Sequence, residues 1–195
     1  MSTRVELPGL RSPAASFDEP FAMLDACHER MLRSLQLLQR LCRHVQQLGA
    51  VDEQAARAAQ DVLRYFDIAA PLHHQDEELH VFPALCAPDV LPELQAAVAR
   101  LTQEHRSMEA LWAQLRAPLA VWSQGTGQPL DAQHMEQMQQ FVLLYQQHLE
   151  QEEGSIFPQA RSRTDAAALQ RMGMEMAARR TAPVADVSVE RSPQS

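Results

Sequence analysis

Apolar residues recur in alternating steps of four and three along four long segments of this chain, and this period strongly restricts the fold. In one segment the stripe consists of Leu94, Val98, Leu101, His105, Met108, Trp112, Leu115 and Leu119. The period places the stripe on one side of an α-helix, facing a core. The strand-forming residues Ile, Thr and Tyr are scarce, which disfavours strands. We therefore predict an all-α fold, an up-down-up-down four-helix bundle.

The ends of the predicted helices are marked by capping residues. Ser16 with Glu19 three residues later fits a capping box, and Asp18 before Pro20 offers an alternative N-cap. Gly49 is the candidate C-cap residue of the same helix. The four long helices are predicted to run from Ser16–Asp18 to Leu48, from Asp52 to Leu85, from Leu91 to Trp122 and from Asp131 to Gln159, with a short fifth helix near Asp165–Arg179.

Two of the prolines within these helices are expected to distort them. Pro71 should kink the second helix, because its ring removes one N–H and crowds the carbonyl of Asp67. Pro118 should bend the last turns of the third helix.

The chain divides into one domain and two flanking segments. Residues 17–160 form the predicted bundle, and residues 161–180 form a short extra helix outside it. Residues 1–16 and 181–195 lack the helical period, and we expect a flexible N-terminal arm and a disordered C-terminal tail.

Charge and cysteine content exclude several classes of function. The formal net charge is −8 and no basic patch stands out, so we expect neither a nucleic acid nor an anionic membrane as partner. The sequence has no long apolar run and no signal-like N-terminus, which predicts a soluble, cytoplasmic protein. Cys27, Cys42 and Cys86 are expected to be reduced and mostly buried thiols. Protein partners remain open.

Each long helix places one histidine on its apolar stripe. These residues are His28, His73, His105 and His148. In an antiparallel bundle each lies about 10 to 14 residues from the same end, so their heights agree within roughly 6 Å. We therefore expect four imidazoles to meet at one level of the core.

A carboxylate follows three of these histidines by one helical turn. Glu77, Glu109 and Glu152 stand four residues after His73, His105 and His148. A single core histidine is more often a hydrogen-bonded packing residue than a ligand. Buried carboxylates without partners are costly, whereas a metal ion uses neutral imidazole and carboxylate together. The joint pattern predicts a metal site.

The other histidines are weaker candidates. His44 should face solvent, and His134 should lie near the opposite end of the bundle. His74 could replace His73 as a ligand, paired with Glu78, and His80 could border the site. One further residue, Tyr145, lies a turn before His148 and is either a core residue or a hydrogen-bonding neighbour of the site.

An internal repeat restricts these choices. Residues 73–83 read HHQDEELHVFP and residues 148–158 read HLEQEEGSIFP, and both contain H-x3-E-E-x3-F-P. The alignment pairs His73 with His148 and Glu77 with Glu152, which favours His73 over His74. It also predicts an approximate twofold axis between the two halves of the bundle.

These residues resemble the hemerythrin-like domains of the His–His–Glu (HHE) cation-binding type. The resemblance covers roughly residues 18–160 and rests on His28 in DACHERM, His105 in QEHRSME and the two repeated segments. It implies a four-helix bundle around a non-haem di-iron centre. Glu77 and Glu152 would be the bridging carboxylates, and the terminal imidazoles would be those of His28, His73, His105 and His148. Such mixed ligands suit iron, with manganese as the alternative.

One position departs from the related oxygen carriers, which have H-x3-H on the third helix. Here that segment reads His105-x3-Glu109, so either Glu109 ligates or one ion takes water. A carboxylate there favours the ferric state and argues against reversible oxygen carriage. The function implied is binding or sensing of dioxygen, peroxide or nitric oxide; the alternatives are a di-iron enzyme that removes peroxide or nitric oxide, and iron storage or handling.

Overall fold

A computed structural model of the chain describes residues 16–181. The predicted arm at residues 1–16 lies outside this range except for Ser16, and the predicted tail at residues 181–195 lies outside it except for Thr181. Thr181 belongs to the last helix and not to the tail.

The described residues form α-helices with a few wider or tighter turns between them. The α-helices are α1 Pro20–Leu48, α2 Glu53–Arg64, α3 Ala70–Asp76, α4 Pro92–Trp122, α5 Ala132–Gln151, α6 Phe157–Arg163 and α7 Ala166–Thr181. Three π-helical segments and one 3₁₀ segment join them, at Tyr65–Ala69, Glu77–Val81, Glu152–Ile156 and Phe82–Leu85. Residues 53–85 are therefore one long interrupted helix, and residues 132–163 are another.

The four long helices form a closed ring. The first, α1, packs against α2, α2 against α4, α4 against α5, and α5 against α1. Short connections make successive helices antiparallel, as in an up-down-up-down bundle. No strand occurs among residues 16–181, so the predicted all-α bundle is confirmed. Within the same range, no helix is both long enough and apolar enough to cross a membrane.

The helix ends agree with the sequence within a few residues, but one cap does not. α1 begins at Pro20, and Glu19 at its N-cap makes no side-chain capping bond. Ser16 Oγ instead accepts the N–H of Asp18 at 3.1 Å, so the predicted capping box is wrong. Asp52 caps α2 by accepting the N–H of Ala55 at 2.8 Å.

Each π-helical segment ends two residues before a proline. The prolines are Pro71, Pro83 and Pro158, and the residue before each donates its N–H to the carbonyl five residues back. A proline has no N–H and crowds the carbonyl four residues earlier. A widened turn relieves such crowding, and π-helical turns are a common cause of helix distortion. The distortion predicted at Pro71 takes this form.

The apolar core is divided into two clusters by a polar layer. One cluster contains Met31, Phe66 and Met108, and the other contains Leu24 and Leu101. In every long helix the histidine that the sequence singled out lies between residues of the first cluster and residues of the second. The bundle therefore encloses a layer of imidazoles and carboxylates between two dry regions.

Candidate metal centre

The structure brings the four histidines together at one level of the bundle. His28 comes from α1, His73 from α3, His105 from α4 and His148 from α5. Each is at most 1% exposed. The His28 and His73 ring centroids lie 4.8 Å apart, and those of His105 and His148 lie 4.7 Å apart.

Two fully buried carboxylates lie between the two histidine pairs. Glu77 Oε1 is 3.1 Å from His73 Nε2, and Glu77 Oε2 is 3.5 Å from His105 Nε2. Glu152 Oε1 is 3.2 Å from His148 Nε2, and Glu152 Oε2 is 3.3 Å from His28 Nε2. Each carboxylate therefore reaches one histidine of each pair, which is the arrangement of a bridging ligand.

The ligand atoms fall into two groups of four that have both glutamates in common. One group is His28, His73, Glu77 and Glu152, and the other is Glu77, His105, His148 and Glu152. Within each group one donor atom per residue lies within 4.8 Å of the others. Two cations sharing two carboxylates fit this arrangement.

Several buried polar atoms of the cluster lack hydrogen bonds. They include both carboxylate oxygens of Glu77, both of Glu152, and the Nε2 atoms of His28 and His73. Their contacts with one another, at 3.1–3.6 Å, do not have hydrogen-bond geometry. Uncompensated buried carboxylates are expensive, and cations bound by these atoms would satisfy them. The donor set therefore fits a pair of metal ions.

The protonation of the cluster reflects its negative charge. Burial disfavours a charged His28, but the Glu152 and Glu77 carboxylates outweigh burial and raise its pKa to about 9. Burial opposes charge on His73 too, and Glu77 still raises its pKa well above the usual value. The pKa of Glu77 is well below normal, because His73 and His28 outweigh its burial. In the absence of cations, protons on the imidazoles balance the carboxylates.

Three further glutamates hold the outer nitrogens of the ligand histidines. Glu153 lies 2.9 Å from His28 Nδ1. Glu78 and Glu104 lie at the same distance, 2.9 Å, from the Nδ1 atoms of His105 and His148. A carboxylate on one ring nitrogen orients the ring, fixes the tautomer and leaves Nε2 free for a metal.

Sequence reasoning missed this role for the glutamates, although the repeat carries the signal. Glu78 and Glu153 are the second glutamate of H-x3-E-E in each copy. Each hydrogen-bonds to the ligand histidine that lies outside the repeat in the other half of the bundle. Glu78 contacts His105, and Glu153 contacts His28. Glu78, named above only as a possible partner of His74, has a side chain that is 25% exposed and reaches His105 Nδ1.

The structure places Glu109, one of the predicted ligands, apart from the other six. Its side chain is 53% exposed and accepts a hydrogen bond from Arg106 at 3.1 Å. It follows His105 by one turn, but it belongs to neither group of ligand atoms. In α4 the buried side of the helix passes from His105 to Met108, which is 1% exposed, so Glu109 lies on the outer side.

The remaining histidines lie outside the two ligand groups. His44 and His134 bond at the surface to the helix-capping residues Asp52 and Asp131, at 2.9 and 2.8 Å. His80 bonds to Arg179 on α7 at 2.9 Å.

His74 is buried beside the cluster without joining it. Its ring stacks on His105 with centroids 4.0 Å apart, and Tyr145 Oη lies 3.4 Å from its Nε2. Burial and the neighbouring His105 hold its pKa well below the usual value, so it is neutral. Tyr145 is thus both a core residue and a hydrogen-bonding neighbour of the site.

Comparison with known proteins agrees with this geometry. The family model described as "Hemerythrin HHE cation binding domain" matches residues 19–174. A protein of Haemophilus influenzae described as uncharacterized is 32% identical over 166 residues, which are 85% of this chain and 92% of that protein. The family match spans most of the chain, including all six residues of the two ligand groups. The chain therefore belongs to the hemerythrin HHE cation-binding family.

Proposed function

We propose that this chain is a non-haem di-iron protein that binds or senses dioxygen or a related small molecule such as peroxide or nitric oxide. The observation that carries the proposal is the pair of ligand groups with two carboxylates in common, one with the histidines of α1 and α3 and the other with those of α4 and α5. Imidazole and carboxylate ligands in a bundle core are typical of di-iron proteins, and manganese accepts the same ligands.

The residues of the chain have separate parts in this function. His28 and His73 would hold one ion, His105 and His148 the other, and Glu77 and Glu152 would bridge them. An iron pair bound there would supply redox chemistry toward a small oxidising molecule.

The surroundings of the site support this use. Glu78, Glu104 and Glu153 hold the histidine rings in place through Nδ1. The two apolar clusters above and below keep bulk water away, and a dry surrounding tunes the potential of a metal centre. The three cysteines are free thiols, which fits a reducing compartment, and we place the function in the cytoplasm.

A second candidate is an enzyme that uses the same centre to remove peroxide or nitric oxide. The pair formed by His74 and Tyr145 favours it, because a phenol and a neutral imidazole beside His105 can donate and accept protons during turnover.

Absorption spectra separate the two candidates. The iron-loaded protein is reduced without air and then exposed to air. A stable new band that disappears when oxygen is removed supports binding or sensing. Irreversible oxidation with continuous consumption of added peroxide supports the enzyme. His105→Ala should abolish either signal, and His44→Ala should leave it unchanged. An iron-loaded wild-type protein that reacts neither with air, nor with added peroxide, nor with nitric oxide added in place of air would contradict the proposal.

A further inference from the structure

Two residues that the sequence singled out and the metal cluster left out, His74 and Glu109, line the same cavity. It lies between α3 and α4 and has a volume of about 180 Å³. A water molecule takes roughly 30 Å³ in the liquid, so the cavity holds only a few molecules of that size. Its walls are mainly apolar and include Phe66, Met108 and Trp112.

The inner end of the cavity is polar and buried. His74 is 5% exposed and Tyr145 is 2% exposed, and both belong to the cavity lining. Their side chains meet at 3.4 Å, from Tyr145 Oη to His74 Nε2. The far face of the His74 ring stacks on His105, one of the six candidate ligands, at a centroid distance of 4.0 Å. His74 therefore lines the cavity and also contacts a candidate ligand of the metal cluster.

The outer end opens to solvent between charged residues that are held in place. Glu109 and Arg116 belong to the lining, and their side chains are 53% and 54% exposed. Asp67 accepts hydrogen bonds from Arg116 Nε and from Trp112 Nε1, both at 2.9 Å. This network ties α4 to the π-helical segment Tyr65–Ala69 and keeps the wall of the cavity rigid.

We propose that this cavity is the access route and holding site for a small uncharged ligand of the metal centre, with His74 as the gate at its inner end. This inference rests on the proposed function. It adds the path by which the ligand reaches the metal centre and the requirement that the ligand is uncharged. Apolar walls favour an uncharged molecule of the size of dioxygen or hydrogen peroxide. Rotation of the His74 ring away from His105 would join the cavity to the cluster.

A second cavity near the cluster is a poorer route. It has a volume of about 420 Å³ and touches Glu153 and Phe157, whose ring stacks on His28 at 4.9 Å. Its other charged lining residues are Asp25, Glu29 and Arg161. Such a surface is strongly hydrated and offers little to an apolar gas.

The cavity can be plugged from its rim without disturbing the core. Ala113 belongs to the lining and is exposed, so Ala113→Trp fills the opening at small cost to folding. Ala99→Trp is the matched control, an exposed alanine on the same helix away from the cavity. Leu32→Trp plugs the competing cavity instead.

The test combines crystallography and rapid mixing on the metal-loaded protein. Crystals under xenon pressure should show a xenon atom between Phe66, Met108 and Trp112 in the wild type, and none there in Ala113→Trp. In stopped-flow mixing, first with dioxygen and then with hydrogen peroxide, Ala113→Trp should slow the reaction by about tenfold or more, at unchanged metal content. Ala99→Trp and Leu32→Trp should react like the wild type.

Each outcome has one meaning. Slowing with dioxygen alone assigns the route to the gas, and slowing with peroxide alone assigns it to peroxide. A cavity that takes no xenon, or equal rate constants for Ala113→Trp and wild type with both reagents, overturns the access route even if the protein carries its metals. A wild-type protein without metals overturns the proposed function and the access route together.

Discussion

At the scale of single residues, the centre depends on which nitrogen each imidazole presents. Glu153, Glu78 and Glu104 occupy the Nδ1 atoms of three ligand histidines, so Nε2 faces the carboxylates. Carboxylates that hydrogen-bond to the second nitrogen of a ligating histidine raise metal affinity, because they keep the ring oriented before the ion binds. They are also partly exposed, so their removal need not disturb the core.

Glu153→Gln tests this role. The amide keeps the size of the side chain but loses the charge that holds the His28 ring, so metal affinity should fall by about 10- to 100-fold. Competition with a coloured chelator measures the metal affinity of the variant and of the wild type. Glu150→Gln, an exposed glutamate on α5, is the control and should bind as the wild type does. Equal metal affinities for Glu153→Gln and wild type would show that Glu153 does not orient His28 for metal binding.

Metal affinity should also rise with pH. The carboxylates of Glu152 and Glu77 raise the pKa of His28 to about 9, so its imidazole is protonated in neutral solution without metal. A cation binds only the neutral ring and must displace that proton. The affinity for manganese(II) should therefore increase between about pH 6.5 and pH 9, with protons released on binding. Titration calorimetry in buffers of different ionisation enthalpy measures both, and an affinity that falls over this range would be the opposite of the expected sign.

At the scale of elements, periodicity predicts the helices, and the local chemistry of prolines decides their interruptions. The stripes and the repeat identified six residues of the cluster, because both depend on spacing along one helix. The spacing of four after His105 suggested Glu109 as a ligand, but the buried side of α4 passes from His105 to Met108, as the apolar stripe already indicates. The π-helical turns begin at Glu77 and at Glu152, and each is followed by a Phe-Pro pair.

Two helical glycines, Gly173 in α7 and Gly154 in the π-helical segment Glu152–Ile156, offer a pair for a stability measurement. A Cβ on Gly173 of α7 would lie 2.0 Å from the backbone oxygen of Phe17, whereas a Cβ on Gly154 meets nothing within 4 Å. Gly154→Ala should stabilise the fold by about 0.5–1 kcal/mol, because alanine restricts the unfolded chain. Gly173→Ala should instead destabilise it by about 1–3 kcal/mol through overpacking. Denaturant unfolding measures both, and a stabilising Gly173→Ala would show that α7 does not pack against Phe17.

At the scale of the whole molecule, α7 is tied to the metal-binding helix by buried charge. Asp76 precedes Glu77, is fully buried, and pairs with Arg179 at 2.7 Å and Arg180 at 2.6 Å. Helical periodicity does not predict this contact, because Asp76 and the two arginines lie about a hundred residues apart and on different helices. The family match ends at residue 174, before both arginines, so this contact lies partly beyond the matched region.

Two truncations separate the tail from this contact. Removing residues 181–195 keeps both arginines, and metal content and stability should stay near those of the full chain. Removing residues 179–195 takes away both cationic partners of Asp76, and breaking a buried ion pair in this way should cost up to about 3–5 kcal/mol of unfolding free energy. Thermal unfolding and metal analysis of the two proteins give the comparison. Equal stability of the two truncated chains would contradict the role given to Asp76.

The number of iron ions bound per chain is the decisive measurement for the metal centre. We expect about two iron ions per chain after growth with iron, because the ligand atoms form two groups. The double variant His73→Ala/Glu152→Ala should lose both ions, while His44→Ala, altered at a surface histidine, should keep them. A wild-type protein that is well folded and free of metal after growth with iron, or a double variant that retains both ions, would contradict it.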